Sequence, residues 1–301
     1  MLIPPYLKMG DTVALTAPAR AITPDEITIT LQWLKDEGFN SIFTSALFEK
    51  ENQFAGSDTV RAADFQAHLN NPDVKAIICA RGGYGAMRLL DKLDFAPLQQ
   101  SPKWICGYSD ITVLHSHIHA QLDMATLHCT MPINITVDTW HNQAARTLLH
   151  ALRGEKLEYI IDNHPFNRIE ETEAVLVGGN LSILYSLLES SASLDTTDKI
   201  LLIEDVGEYL YHIDRMILSL KRAGKLQHIK GLLVGGFSDM NDNAVPYGQT
   251  AEEIIAEQCA DYDFPIIFGV PTGHIADNRA FKLGMNCKIQ IFENKVIISQ
   301  K

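Results

Sequence analysis

No run of apolar residues in this chain is long enough to span a bilayer. The first residues also lack the apolar core of a signal peptide, being interrupted by Pro4, Pro5, Lys8 and Asp11. Basic charge is scarce: 25 lysines and arginines face 37 aspartates and glutamates, a formal charge of −12. That balance argues against a nucleic-acid binder, which needs a basic face. There are only five cysteines, scattered and without C-x-x-C spacing, so reduced thiols are expected rather than a disulfide framework. Neither G-x-G-x-x-G nor a Walker lysine is present, so no nucleotide loop is expected. The chain also has no internal repeat and no low-complexity segment. These absences leave a cytoplasmic protein with no membrane or nucleic-acid partner, and no cofactor or metal is expected.

What is present is ordinary for a globular protein. With 301 residues, 46% hydrophobic and 21% charged, one large domain or two of common size are expected. Thr12 to Thr16 reads as a strand, and Thr23-Pro24-Asp25-Glu26 as a capping box with proline at the first helical position. Strands at Ser41–Ala46, Val74–Ala80, Lys103–Cys106 and Ala125–Leu127 alternate with helices near 58–69, 86–93, 110–121 and 139–153. Such alternation predicts a parallel sheet covered on both faces. From Asp162 to Glu170 the chain is polar, carries Pro165 and shows no period. The expected division is therefore 1–161, a linker at 162–172, and 173–301. The second part is mixed α and β. It has strands at 174–177, 200–203 and 231–237, and a closing hairpin, 288–292 with 296–299, turning at Glu293-Asn294-Lys295.

One stretch organises these elements: Cys106-Gly107-Tyr108-Ser109-Asp110-Ile111-Thr112. A glycine between a buried strand and a helix lets the chain turn sharply. A serine at that corner faces the helix N-terminus, where free N–H groups can stabilise an oxyanion. The pattern lacks the second glycine of G-x-S-x-G, Ile111 standing in its place. Read alone, the stretch is also consistent with an N-capping Ser-Asp pair. A serine nucleophile needs a base and an orienting carboxylate. Of eleven histidines, His68, His141 and His150 fall on polar helix faces and His164 in the linker. His115, His117 and His119 suggest a metal cluster, but only the first and third share a helical face and no H-E-x-x-H is present. His274 follows Gly273 in a tight turn past a buried strand, where side chains face a cleft. Glu204 emerges at the end of the strand Ile200-Leu201-Leu202-Ile203, although it and Asp205 could equally be solvated strand-end charges. A second Gly-x-Ser-Asp, Gly236-Phe237-Ser238-Asp239, is followed by polar loop, which ranks Ser238 below Ser109. The backbone of Gly82-Gly83, just past a buried strand, could form an anion-binding nest and complete an oxyanion hole with the N–H of Asp110.

The set Arg81-Gly82-Gly83-Tyr84-Gly85, Gly107-Tyr108-Ser109-Asp110, Gly178-Gly179-Asn180-Leu181, Leu202-Ile203-Glu204-Asp205-Val206-Gly207-Glu208 and Gly273-His274 resembles the LD-carboxypeptidases. These include muramoyl-tetrapeptide carboxypeptidases of murein recycling and the related microcin-immunity peptidases. The resemblance covers nearly the whole chain. It implies an N-terminal flavodoxin-like or glutamine-amidotransferase-like domain, a C-terminal swivelling α/β domain, a site at their junction and a homodimer. It also implies a triad of Ser109, His274 and Glu204, with Asp110 and Gly83 or Gly82 as oxyanion donors. The implied reaction hydrolyses the L,D-amide that holds the terminal D-alanine of a murein tetrapeptide. The alternatives are cleavage of an acyl-nucleotide-like conjugate and non-catalytic binding in the cleft. Candidates for substrate contact are Arg81, Tyr84, Asn180 and Arg279. Cys129-Thr130 stands where Gly-Pro is common after the histidine, and Lys282 where proline is frequent; both positions bear on pocket shape.

Overall fold

A computed structural model describes residues 1–168, 170–292 and 294–301. Ile169 of the expected linker and Glu293 of the expected hairpin turn lie outside the described residues.

The first lobe alternates strand and helix. It comprises β1 (Thr12–Thr16), α1 (Pro24–Asp36), β2 (Asn40–Ile42), α2 (Asp58–Asn70), β3 (Val74–Cys79), α3 (Pro97–Gln100), β4 (Trp104–Gly107), α4 (Thr112–Leu122), β5 (Thr126–His128) and α5 (Gln143–Leu152). Its five strands are parallel and lie in the order β2-β1-β3-β4-β5. This is the flavodoxin-like order, and its switch point falls between β1 and β3. Burial explains the apolar runs: β3 exposes little beyond Lys75 and β4 is wholly buried, as strands covered on both faces must be. Helix α1 begins at the Thr23–Glu26 capping box and buries Ile27, Thr30, Trp33 and Leu34 at helical spacing. Each large apolar side chain buried this way contributes about 1.5–3 kcal/mol.

The second lobe contains β6 (Leu157–Asp162), β7 (Thr172–Asn180), α6 (Leu181–Ser186), β8 (Lys199–Val206), α7 (Leu210–Arg222), β9 (Gly231–Ser238), α8 (Ala251–Gln258), β10 (Ile266–Ile267), β11 (Phe281–Leu283), β12 (Asn286–Phe292) and β13 (Lys295–Gln300). Strands β10-β9-β8-β7 are parallel, and β12, β13 and β6 extend them as an antiparallel ribbon. One strand of the second lobe is not in this sheet. β11 pairs antiparallel with β5, through Phe281 opposite His128, and completes the first sheet. β6, which precedes the linker, forms the edge of the second sheet. A single buried cluster accordingly runs from Val13 and Ile78 through Leu127 and Phe281 to Leu202 and Ile289. No helix among the described residues is long and apolar enough to cross a membrane.

Local differences from expectation have local causes. The strand expected over 41–46 stops at Ile42, and Ser45–Phe48 forms a 3-10 turn capped by the Thr44 hydroxyl. Residues 86–92 form a 3-10 segment rather than an α-helix. Neither β6 nor β11 was expected: Ile160 breaks the alternation of the first with an exposed apolar side chain, and the second has three residues. Lys282 is fully buried; its N–H donates to Gln300 Oε1 (2.8 Å), and its ammonium donates to the carbonyls of Glu155 (3.0 Å) and Lys301 (3.1 Å). A proline there would lack that N–H, so in this chain the position serves as a strut for β11.

Phe281 packs edge-on against Tyr159 of β6, with ring centroids 5.0 Å apart, so it touches both exchanged strands. Phe281→Ala is expected to cost about 3–5 kcal/mol. Because the lobes exchange strands and share one buried cluster, circular dichroism should show one lowered thermal transition; two separated transitions would contradict the shared core.

Candidate active site

At the end of β4 the chain turns through Gly107 and Tyr108 into a 3-10 turn, Ser109–Ile111, that leads directly into α4. Ser109 has φ +62°, a left-handed conformation that costs a non-glycine residue about 1–3 kcal/mol and marks a held position. Gly107, at φ +154°, is required by its neighbour: a Cβ there would stand 2.9 Å from Ile111 Cγ1. The bulky residue in place of the second glycine is thus accommodated by the first. His115, one turn into α4, places Nε2 2.9 Å from the Gly107 carbonyl, which can only accept, so that nitrogen carries the proton. Burial pulls the His115 pKa down to about 4, keeping the ring neutral.

Facing Ser109 are two groups from the second lobe. His274 Nε2 lies 3.0 Å from Ser109 Oγ, and its Nδ1 lies 2.6 Å from Glu204 Oε2. The same oxygen accepts the His274 backbone N–H at 3.1 Å. Because the carboxylate accepts from Nδ1–H, the lone pair of Nε2 is turned toward the hydroxyl. Glu204 is completely buried in β8. Gly273 has φ +96°, and a Cβ there would sit 2.6 Å from both Cβ and Oε2 of Glu204. Only glycine lets the turn close on that carboxylate. Asn278 Oδ1 accepts the Gly273 N–H (2.9 Å), and the Ser238 hydroxyl donates to the His274 carbonyl (2.6 Å). Tyr108 covers one side of the imidazole at 4.8 Å between ring centroids. Burial disfavours the His274 imidazolium, but the hydrogen bond and charge of Glu204, reinforced by Asp205, outweigh it and raise the pKa above 6.5.

A hydroxyl, imidazole and carboxylate in this series can pass a proton from oxygen to nitrogen and stabilise the resulting cation. Gly82 borders the hydroxyl: a Cβ on it would stand 3.1 Å from Ser109 Cβ and 3.3 Å from Oγ. Asp110 is buried and its carboxylate accepts the Ala86 N–H at 2.8 Å, tying the elbow to the end of the Arg81–Gly85 loop. Burial raises the Asp110 pKa, against bonds from Ala86 and Gly85 and the charge of Arg61. Among the remaining candidates, Tyr84 is exposed beside Phe54. Arg81 donates to the Ala21 carbonyl (3.3 Å) and stands 3.6 Å from Glu26. Arg279 is occupied by Asp277, through Nε at 3.0 Å and Nη2 at 2.7 Å. Asn180 is buried, with Nδ2 on Asp205 (2.9 Å), Oδ1 accepting the Ile183 N–H (3.2 Å) and its own N–H on Thr112 Oγ1 (3.0 Å). Its side chain is engaged within the second lobe, and its backbone N–H joins that lobe to Thr112 of the first.

Other residues here have roles that the sequence did not indicate. Asp205 points away from the relay to hold Asn180 and the Ser182 N–H (2.9 Å); burial and Glu204 push its pKa up to about 7. Arg61, buried within α2, binds Asp58 and the carbonyls of Pro18, Gly56 and Gly85, pinning three loops under the site. His68, expected on a polar face, is buried 3.6 Å from Asp64. Cys129 is buried with its N–H on the Gly107 carbonyl (3.2 Å), which makes it packing beside the elbow. Among the described residues no group of three His, Cys, Asp or Glu is placed to hold a metal.

Residues 13–129 match the LD-carboxypeptidase N-terminal domain, and residues 173–289 match the LD-carboxypeptidase C-terminal domain. A probable murein peptide carboxypeptidase of Bacillus subtilis is 32% identical over 302 residues, covering 98% of this chain and 93% of its own. The murein tetrapeptide carboxypeptidase of Pseudomonas aeruginosa is 29% identical over 287 residues, with 92% of each chain covered. Muramoyltetrapeptide carboxypeptidase from Oxalobacter formigenes superposes with TM-score 0.87 at 25% identity over 96% of this chain and 98% of its own. The microcin C7 self immunity protein MccF, in complex with aspartyl sulfamoyl adenosine, shares the fold at TM-score 0.87 and 20% identity, over 100% and 99% of the two chains.

The slot around Glu204 generates a paired test. Gly273 and Gly207 both have positive φ, but a Cβ on Gly207 would meet nothing within 4 Å. Gly207→Ala is expected to cost about 1–2 kcal/mol, the backbone term alone. Gly273→Ala should cost clearly more in urea denaturation. Equal losses would mean that the turn does not close on Glu204 as described.

Proposed function

The chain belongs to the LD-carboxypeptidase family, and we propose that it is a serine-type enzyme releasing the terminal D-alanine of murein tetrapeptides. The observation that carries this reading is the Ser109–His274–Glu204 series at 3.0 and 2.6 Å, assembled from both lobes. The substrate class rests on the relatives named for murein peptides, aligned over nearly the full chain.

In the proposed reaction, His274 Nε2 takes the proton as Ser109 Oγ attacks the carbonyl between an L-centre and the terminal D-residue. The imidazolium is held by Glu204. The negative oxygen is received by the N–H groups of Asp110 and of Gly83 or Gly82. As the tetrahedral intermediate collapses, His274 returns its proton to the departing amine and D-alanine leaves. A water molecule, activated by the same imidazole, then attacks the acyl-serine, and the amputated peptide is released. The reading places this activity in a homodimer, as the family resemblance implies, and in the cytoplasm, as the five scattered cysteines suggest. Cleavage of a nucleotide-like conjugate would call for an accessible ring to stack a base. Trp33 and Trp104 are buried, at 3% and 0% exposure, and Trp140 is already against His141, which leaves the exposed Tyr84 on the Arg81–Gly85 loop as the ring such a reading would need.

Mass spectrometry over a panel of L,D- and D,D-terminated peptides should find D-alanine released from the L,D forms. Ser109→Ala or His274→Ala should lower turnover by about 10⁴-fold or more. Tight binding without turnover by the parent protein, or normal turnover by His274→Ala, would discard the reading.

The pH profile tests the coupling to Glu204. Only neutral His274 can accept the serine proton, so kcat/KM should rise with pH through a pKa above 6.5. Removing the carboxylate removes what holds that pKa up. Glu204→Gln should therefore shift the acid limb to lower pH while slowing turnover by about 10²–10⁴-fold. A limb that stays in place would show that Glu204 does not set the ionisation of His274.

A further inference from the structure

A second set of charges, unused by the relay, gathers where the sheet order reverses. Between the loops after β1 and β3 lies a cleft of about 360 Å³, lined among others by Arg20, Glu26, Lys50 and Arg81. Three cations against one carboxylate make it locally positive in a chain of formal charge −12. In open α/β sheets, ligands bind outside the carboxyl ends of the strands at such a reversal. A run of contacts links the Arg20 wall of this cleft to Ser109. Gly82 borders Ser109, and the next residue, Gly83, is covered by Arg20: a Cβ on Gly83 would stand 2.0 Å from Arg20 Cδ and 2.5 Å from Cγ. Ser109, Gly82, Gly83 and Arg20 thus form one run along the C-terminal edge of β4, β3 and β1.

The Arg20 side chain differs from the other arginines near the site. Arg81 is engaged by Ala21 and Glu26, and Arg279 by Asp277. The Arg20 guanidinium has no hydrogen bond or ion pair among the described residues, and the residue is exposed. Its backbone, in contrast, is firmly held. The Arg20 N–H bonds Gly82 O (3.4 Å), the Ala55 N–H bonds Ala19 O (3.1 Å), and the Ala21 N–H bonds Gln53 O (3.0 Å). Buried Arg61 grips the carbonyl of Pro18. A guanidinium without a partner, on a held backbone with its stem over Gly83, is prepared for a planar anion.

We infer that Arg20 binds a carboxylate of the peptide substrate and fixes the peptide across Gly83. This rests on the reading of the chain as a murein peptidase. Murein tetrapeptides carry carboxylates both on the terminal D-alanine and on the acyl half, and the chemistry of recognition is the same for either. The overall acidity of the protein repels such a ligand, so a local cation must supply the attraction.

Three substrates and three proteins test the assignment. The substrates are the tetrapeptide with all carboxylates free, its C-terminal carboxamide, and the peptide amidated on the acyl half only. The proteins are the parent, Arg20→Met and Arg20→Lys. Losing a charge-assisted, two-pronged bond should lower kcat/KM on the free tetrapeptide by about 10–100-fold in Arg20→Met, with partial recovery in Arg20→Lys. On one of the two amidated peptides the parent and Arg20→Met should be equal, and that peptide identifies the carboxylate. A uniform loss on all three peptides, or no loss on any, overturns the assignment. Calorimetry on Ser109→Ala, with and without Arg20→Met, separates this result from a failure of the murein reading. Ser109→Ala should bind the free tetrapeptide more tightly than one of its amidated forms, and Arg20→Met should erase the difference. Absence of any difference, including absence of binding, overturns the assignment. Absence of turnover by the parent counts against the murein reading alone. An unchanged melting temperature of Arg20→Met establishes that the fold is intact.

Discussion

The 3.0 Å separation between Ser109 Oγ and His274 Nε2 is the dimension on which this structure depends, because its two atoms come from different lobes. Hydrogen bonds weaken steeply once they are stretched or bent. No local turn can guarantee such a distance between residues 165 positions apart in sequence; the packing of one lobe on the other must do so. Two features of the junction serve that end. The Asn180 N–H meets the hydroxyl of Thr112, the residue that directly follows the 3-10 turn of Ser109. β11 crosses to pair with β5, which is hydrogen-bonded to the strand leading to Ser109.

The neighbouring carboxylates on β8 divide the task. Successive residues of a strand project to opposite faces. Glu204 is therefore turned to His274 while Asp205 gathers Asn180 and the Ser182 N–H at the start of α6. One carboxylate orients the imidazole; the other ties down the segment that touches α4. Their proximity has an electrostatic consequence, since the charge on Glu204 raises the pKa of Asp205 after burial has already done so. The pair thus joins the chemistry of the site to the placement of the lobes. The strained φ of Ser109 belongs to the same arrangement, because a corner enclosed by Ile111, His115 and Cys129 has little room to relax.

Much of this was legible in the residues. β1, α1, β3 and β4 announce themselves by a capping box or a continuous apolar run, signals that depend on near neighbours only. The elbow was readable for the same reason: a strand, a glycine and a helix follow one another. Glu204 and His274 were legible as strand-end and turn residues, and the family motifs link them to Ser109. The exchanged strands were not legible, since β11 has three residues and its pairing partner lies about 150 positions earlier. Asn180 and Arg279 read as free polar groups because the residues that occupy them, Asp205 and Asp277, look solvated in sequence. Nothing in the sequence sets Arg20 apart from other arginines. Only the closeness of its stem to Gly83, 63 residues away, distinguishes it. Ser238, set aside because no helix follows its Gly-x-Ser-Asp, has a place after all, steadying the carbonyl of His274.

The exchange of β6 and β11 also bears on how the protein is made. Domains commonly fold as the ribosome delivers them, N-terminal part first. Here the first sheet cannot be finished until residues 281–283 have emerged, and β6 must wait for β13 before its edge is paired. A nascent chain holding Ser109 in its elbow therefore lacks both its closing strand and His274 until residues 274–283 have been made. The order of translation thus leaves the Ser109–His274 contact among the last to form.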